Sequence, residues 1–176
     1  MLAEFPKLEL KERIFWMVKQ LEFFLPNKYE EALEIIVNSL PNELDADKTD
    51  GDFGDFILAP LGHFVSDYGC SKKHLKKSLI ALEEMNKRFS TEFEIRDFLN
   101  KFEDETFAII FIWSKNKNYH LRRLASEGTR PKLPWAKRIN LDYRKAIKIL
   151  DNLYFDKTRY VTRSVTNHLN DISKMD

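Results

Sequence analysis

Two stretches of the chain, Asn118-Tyr-His-Leu-Arg-Arg-Leu-Ala-Ser-Glu127 and Arg159-Tyr-Val-Thr-Arg-Ser-Val-Thr-Asn-His168, align without a gap at an offset of 41 residues. Tyr119 falls on Tyr160, Arg122 on Arg163 and Leu124 on Val165, and upstream Trp113 falls on Tyr154. Both stretches read as helices. A period near 40 residues with two helices per unit marks a stacked repeat, because one such unit cannot bury its apolar face alone. The expectation is therefore an all-α chain wound as an α-α superhelix. Second helices at about His120–Gly128 and Tyr160–Ile172 should lie side by side on the concave face. Chance similarity between two amphipathic helices is the other reading of the same alignment.

The rest of the chain reads the same way. Ile14, Met17, Val18, Leu21, Phe24 and Leu25 recur at the spacing of one helix face between Leu8 and Leu25, and Pro26 stops the pattern. Ala32, Leu33, Ile36 and Leu40 repeat it from Lys28 to Leu40, where Pro41 intervenes. Asn42–Gly54 is acidic and aperiodic, a surface loop. Further helices are expected over Phe56–Tyr68, from Ser71 to about Lys87, and from Ser90 to about Phe102. The apolar run from Asp104 to Trp113 taken alone fits a buried strand, and its helical neighbours decide for helix. The whole fits a HEAT-like repeat solenoid, with 1–176 as a single helical-repeat domain.

Composition narrows the function classes. One cysteine among 176 residues excludes a disulfide framework and any cysteine-based zinc site. Cys70, beside Gly69 at a helix boundary, reads as a packing residue. His63, His74, His120 and His168 show no ligand spacing, and no glycine-rich phosphate loop occurs, so neither metal nor cofactor is expected. No apolar run approaches the ~20 residues that span a bilayer, and the N-terminus lacks an apolar signal core. The expected compartment is the cytoplasm, with no membrane partner. The net charge of +1 hides an asymmetry: Met1–Cys70 holds 6 Lys/Arg against 14 Asp/Glu, while Ser114–Arg163 holds 14 against 4. A neutral chain with one strongly basic segment has the footprint of a polyanion-binding surface, although solvated helix faces give the same count. Arg122 and Arg163, one repeat apart, are candidates for a row of guanidiniums along a basic concave cleft; bridging within their own repeats is the alternative.

After Ala125 the chain stops reading as packing. Ser126-Glu-Gly-Thr-Arg-Pro-Lys-Leu-Pro-Trp135 ends a helix at Gly128 and continues as a proline-stiffened loop with a carboxylate, a guanidinium and an indole. Glu127 stands among Arg122, Arg123 and Arg130. Trp135 offers a flat face for stacking on a base, a contact worth ~1–3 kcal/mol. A salt-bridged glutamate and a buried tryptophan lid fit the same residues.

The string from His120 to Trp135 resembles the signature of the HEAT-like alkylpurine DNA glycosylases, in their AlkC branch. Leu8–Arg13, Ser90–Phe98 and Arg163–Ser173 resemble the same pattern, so the resemblance runs along nearly the whole chain. It implies a helical solenoid that holds alkylated double-stranded DNA as a monomer and hydrolyses the N-glycosidic bond of cationic bases of the 3-methyladenine type, without a cofactor. Such a base is already a good leaving group, so the enzyme needs only to stabilise the sugar cation and place a water, and carboxylates do both. The resemblance assigns Glu127 and Glu92 as catalytic carboxylates and Trp135 as the residue against the lesion. It assigns Arg123 and Arg130 to the DNA backbone.

Two positions apart on a helix point to different sides, so only one of Glu92 and Glu94 is expected to face the cleft; the resemblance, whose pattern has a small residue at the position of Glu94, favours Glu92. Repeat symmetry turns Asn167 and Asn170 toward the cleft. Two departures stand out: the pattern implies further helical sequence on both sides, so the domain is expected to be shortened at both ends, and Lys132 stands where arginine is common. A non-catalytic nucleic-acid- or protein-binding module is the alternative. It would need the arginines but not the carboxylates.

Overall fold

The computed structural model describes residues 5–45 and 53–175. Among them are nine α-helices and no strand: α1 Leu10–Phe24, α2 Tyr29–Asn38, α3 Ala59–Gly69, α4 Leu75–Asn86, α5 Glu94–Lys101, α6 Glu103–Trp113, α7 Tyr119–Gly128, α8 Tyr143–Leu153 and α9 Arg159–Ile172. The fold is the expected all-helical repeat. Local chemistry sets the helix ends. Glu9 and Glu12 form a reciprocal capping box on α1, with Glu9 N–H donating to Glu12 Oε2 at 2.9 Å. Asn118 caps α7 through its side-chain oxygen, and Asp142 caps α8 the same way. Pro60 sits in the first turn of α3, where a missing N–H costs nothing.

The odd-numbered helices form one row: α1 packs on α3, α3 on α5 and α7 on α9. The even-numbered helices cover the other side, α2 on α4, α6 on α7 and α8 on α9. A continuous core runs between the rows, with Leu82, Ile95, Phe98, Ile110, Trp113, Leu121, Leu124, Ile149, Leu153 and Val161 almost fully enclosed. Close approach is strict at Gly69, where an added Cβ would lie 2.1 Å from Tyr29 Oη and 2.4 Å from Ser78 Oγ. Those two hydroxyls are hydrogen-bonded at 2.7 Å and tie α2 to α4.

Three boundaries differ from the sequence expectation. Phe56–Leu58 winds as a 3-10 turn before α3 begins. Ser71 opens a turn, and α4 starts at Leu75. The helix expected from Ser90 starts at Glu94, which leaves Glu92 in the preceding turn. The run Asp104–Trp113 is helical, as its neighbours required; Ile110 and Trp113 face the core while Ile112 is 61% exposed.

The repeat is present, with a different register. The caps Asn118 and Thr158, and the buried helix ends Trp113 and Leu153, are each 40 residues apart rather than 41. By these landmarks Arg122 corresponds to Thr162, not to Arg163. The 41-residue alignment matched residue types on amphipathic faces, and one residue is about 100° of helix rotation. Of the expected acidic loop Asn42–Gly54, residues 46–52 lie outside the described residues. Its ends are pinned to the end of α4: Leu44 N–H donates to Lys87 O at 3.0 Å, and Ser90 N–H to Phe53 O at 3.1 Å. Gly54 adopts φ 77°, and a Cβ there would fall 1.9 Å from Arg88 O, so only glycine fits.

Candidate active site

The odd-numbered helices open onto a cavity of about 650 Å³. It is walled by Lys11 of α1, Glu92 and Glu94 at the start of α5, Arg123 and Glu127 of α7, Arg130 and Trp135 of the following loop, and Tyr160, Arg163 and Asn167 of α9. Phe53, Phe56, Phe89 and Phe93 give part of it an aromatic lining. Six of the seven residues singled out in the sequence, Glu92, Glu127, Trp135, Arg123, Arg130 and Arg163, meet on this one surface, with Asn167 beside them. Arg122 and Asn170 are not part of the wall.

Glu127 is the hub. Arg130 Nη1 donates to Glu127 Oε1 at 2.5 Å, and Arg123 Nη2 lies 3.8 Å from the same oxygen. Ser164 Oγ of α9 donates to Oε2 at 2.5 Å. Arg130 reaches on to Asp171 of α9, Nε to Oδ2 at 2.8 Å. Arg123 also pairs closely with Glu92, whose Oε2 accepts from Ser90 Oγ at 2.8 Å. Both guanidiniums are buried. Burial disfavours the charge of Arg123, yet Glu92, Tyr160 and Glu127 more than offset it and raise its pKa above the ordinary value. Arg130 is raised likewise: Asp171 and Glu127 outweigh desolvation. The rings of Tyr160 and Phe53 lie 4.8 and 5.4 Å from the Arg123 guanidinium carbon, in cation–π range. The Tyr160 hydroxyl is buried and has no hydrogen-bond partner among the described residues, and burial raises its pKa.

The loop after α7 is held in place from α5. Arg96 is fully buried and donates to three backbone carbonyls: Lys137 O at 2.6 Å, Arg130 O at 2.8 Å and Gly128 O at 3.3 Å. Its pKa falls to about 10, chiefly from burial and then from the nearby Arg130 charge. Asn100 extends the seam, donating to Arg138 O at 2.9 Å and accepting from Asn140 N–H at 2.9 Å. Gly128 allows the close approach; a Cβ there would be 2.7 Å from Ile95 Cγ2. On this support Leu133-Pro134-Trp135-Ala136 makes a turn closed by Ala136 N–H to Leu133 O at 3.3 Å. Proline at the second position and φ 65° at Trp135 have the pattern of a type II turn, whose third position normally takes glycine. A bulky residue in left-handed backbone is strained. The strain aims an indole that is 76% exposed at the cavity rim, with its carbonyl accepting from Lys11 Nζ at 2.5 Å.

Arg122 does a different job. Its guanidinium chelates Asp156, Nε to Oδ2 at 2.5 Å and Nη2 to Oδ1 at 3.1 Å, and Nη1 donates to Asn116 O and Lys117 O, each at 2.9 Å. It joins the α6–α7 turn to the α8–α9 turn, so the expected row of Arg122 and Arg163 is not formed. Asn170 is exposed elsewhere on α9. Ser164, Asp171, Arg96 and Tyr160 escaped the sequence reading as site residues. Ser164 and Asp171 lie seven residues apart on α9, two helical turns, and the Arg163–Ser173 string contained that signal. Glu94 also lies on the wall beside Glu92, a pairing that helix spacing excludes. The exclusion fails because Glu92 precedes the helix.

Stacked two-helix units with a buried carboxylate–guanidinium cluster on their inner row define a helical-repeat protein with a composite site. In sequence and structure the chain is similar to AlkC-type proteins of this class. It is 40% identical, over 98% of its length, to the Bacillus subtilis (strain 168) protein YhaZ, described as uncharacterized. Its structure matches, with a TM-score of 0.82 and 34% identity over 98% of the chain, the Pseudomonas fluorescens alkylpurine DNA glycosylase AlkC bound to DNA containing an abasic site analog. The chain spans 46% of the length of each of these two proteins. No known family profile matches it. No described helix is long and apolar enough to cross a membrane.

Proposed function

We propose that the chain is a DNA glycosylase acting on cationic N-alkylated bases of the 3-methyladenine type in duplex DNA, as a cytoplasmic monomer. The observation that carries the reading is the convergence of Glu92, Glu127 and Trp135 on one cavity, with Arg123 and Arg130 fixing the carboxylates. The indole of Trp135 stacks at the lesion nucleotide. As the C1′–N bond of the alkylated base breaks, the base leaves with the bonding pair and becomes neutral. Positive charge passes to the sugar, and the carboxylates of Glu127 and Glu92 face it. A water then adds to C1′ and gives its proton to a carboxylate. Ser164 and Arg130 hold Glu127 in one rotamer, so little reorganisation is needed at the moment of reaction.

The engagement of both Glu127 oxygens also fits a purely structural role in a binding module. The two readings part on Glu127→Gln. Release of methylated bases from alkylated duplex DNA, followed by chromatography, should slow by roughly 10²-fold or more while DNA binding holds. Folded protein is checked by its melting temperature. Absence of release by the unaltered chain overturns the enzyme reading. Unchanged release in Glu127→Gln removes this residue from the chemistry.

A further inference from the structure

Three glutamates line the cavity, and they are not equivalent. Glu92 has Arg123, and Glu127 has Arg130 and Arg123. Glu94 is 2% exposed, and the ion-pair partner it has among the described residues is His63 of α3, Nε2 to Oε1 at 3.4 Å. That ring is buried too, which pulls its pKa down to about 4 and leaves it neutral at pH 7. The charges that act on Glu94 most strongly are carboxylates, Glu92 and Asp97 from its own segment and Asp67 from α3, while Lys11, Arg123, Arg130 and Arg163 line the same cavity. Lys137, on the loop, is engaged by Asp97 at 2.8 Å, and Lys11 of α1 by the Trp135 carbonyl. The fold makes room for this side chain at Gly62, where a Cβ would press on Glu94 Cδ at 3.2 Å and Cγ at 3.3 Å. Ala59, Phe89 and Phe93 share its part of the wall. Burial above all, and then the three carboxylates, lift its pKa to about 8 against the opposing effect of a backbone hydrogen bond, so it is the neutral acid at pH 7.

We propose that Glu94 is the charge-selecting residue of the cavity, distinguishing a positively charged aromatic guest from its neutral counterpart. The identification of that guest with an alkylated base rests on the proposed function; the selection itself does not. When a cation enters, the Glu94 O–H bond breaks, the electron pair stays on the carboxylate and the proton leaves to solvent. One positive charge arrives and one departs. The site thus takes up a cation without increasing the net charge it shares with Lys11, Arg123, Arg130 and Arg163, and a buried ion pair forms in place of an uncompensated charge. A neutral guest leaves the proton where it is.

The test titrates the full chain at pH 7 with 1,9-dimethyladeninium, a cation, and with 9-methyladenine, its neutral counterpart, by calorimetry in two buffers of different ionisation enthalpy. The expected result is about one proton released per cation bound and none for the neutral base. Glu94→Gln, nearly isosteric with the protonated acid, should abolish the release and weaken cation binding ~10-fold or more, leaving the neutral base unaffected. Infrared difference spectra of the unaltered chain supply a second readout, a carboxylic-acid carbonyl band that disappears on adding the cation. Cation binding without proton release, release that persists in Glu94→Gln, or no cation binding at millimolar concentration each overturn the proposal. Base release from alkylated DNA is measured in parallel. Base release without proton linkage sinks the selection and spares the enzyme; proton linkage without base release does the reverse.

Discussion

Arg122 and Arg123 are neighbours in sequence and serve two regions with different physics. At the outer edge of α7, Arg122 chelates Asp156 and binds two carbonyls, fastening one repeat to the next. On the inner face Arg123 is enclosed between Glu92, Glu127 and the Tyr160 ring. The first is a joint that any repeat of this kind would use. The second is a concentration of charge that packing alone does not require, since apolar residues of similar volume would fill the space at no electrostatic cost. The contrast separates what holds the solenoid together from what the solenoid holds.

The sharpest way to break the contrast is to remove each arginine in turn. Arg123→Ala strands Glu92 and weakens the setting of Glu127 in a buried site. Breaking a buried pair by deleting one partner costs about 3–5 kcal/mol, and urea unfolding should show a loss on that scale. Excision per folded molecule should fall with it. A loss under ~1 kcal/mol would mean that water enters and solvates the two carboxylates, and that the site is looser than its geometry.

Much of this was legible in advance, and the failures are instructive. The amphipathic spacing of Ile14 to Leu25, the strings His120–Trp135 and Ser90–Phe98 and the internal repeat that singles out Arg163 are enough for the helices and for six wall residues, because each signal lies in a short stretch of sequence. Arg122 was misplaced by one residue of repeat register: matching residue types cannot see that the caps Asn118 and Thr158 are 40 apart. Helix spacing allows only one of Glu92 and Glu94 on the wall, but the segment becomes helical only at Glu94 itself, and both line the cavity. Arg96, Ser164 and Asp171 act across helices, through partners 32 to 41 residues away. No periodicity reports such contacts.

Within the inner region, the pH dependence of stability separates Glu94 from its paired neighbours. Its folded pKa of about 8 lies above the unfolded value near 4.5, so the native state holds a proton that the unfolded chain loses, and stability falls as pH rises between them. His63 and His168, both lowered to about 4 by burial, act oppositely, adding stability as pH rises from 4 to 6.5. Above pH 6.5 the glutamate's slope stands alone among these three. From pH 6.5 to 8 the unaltered chain should lose up to about 1.4 kcal/mol per pH unit relative to Glu94→Gln, roughly 2 kcal/mol in all. Parallel stability curves for the two proteins would show that Glu94 is already ionised in the fold.

The outer region should yield less. Arg122→Ala removes a chelated, partly exposed pair and two carbonyl contacts, for about 1–2 kcal/mol, with excision per folded molecule unchanged. A selective loss of excision at full stability would move Arg122 into the site and erase the distinction between the two faces.

The smallest effect concerns salt, and it divides the wall's arginines again. Arg123 and Arg130 are the expected phosphate contacts, and both are buried and paired with carboxylates. Arg163 also lies on the wall and is exposed, so among the three it is the one placed to meet a phosphate from solvent. Each phosphate neutralised contributes about −0.9 to the slope of log affinity against log salt on duplex DNA. Arg163→Ala should flatten the slope by about one unit, equivalent to a change of roughly 3- to 4-fold between 50 and 200 mM salt. Arg123→Ala and Arg130→Ala should weaken binding without flattening it, because they disturb the site's shape rather than release counterions. Slopes measured by fluorescence anisotropy on one duplex decide the matter. If Arg130→Ala flattens the slope and Arg163→Ala does not, Arg130 leaves Asp171 and Glu127 for the backbone when DNA binds, and the inner cluster is a store of cations opened by the ligand.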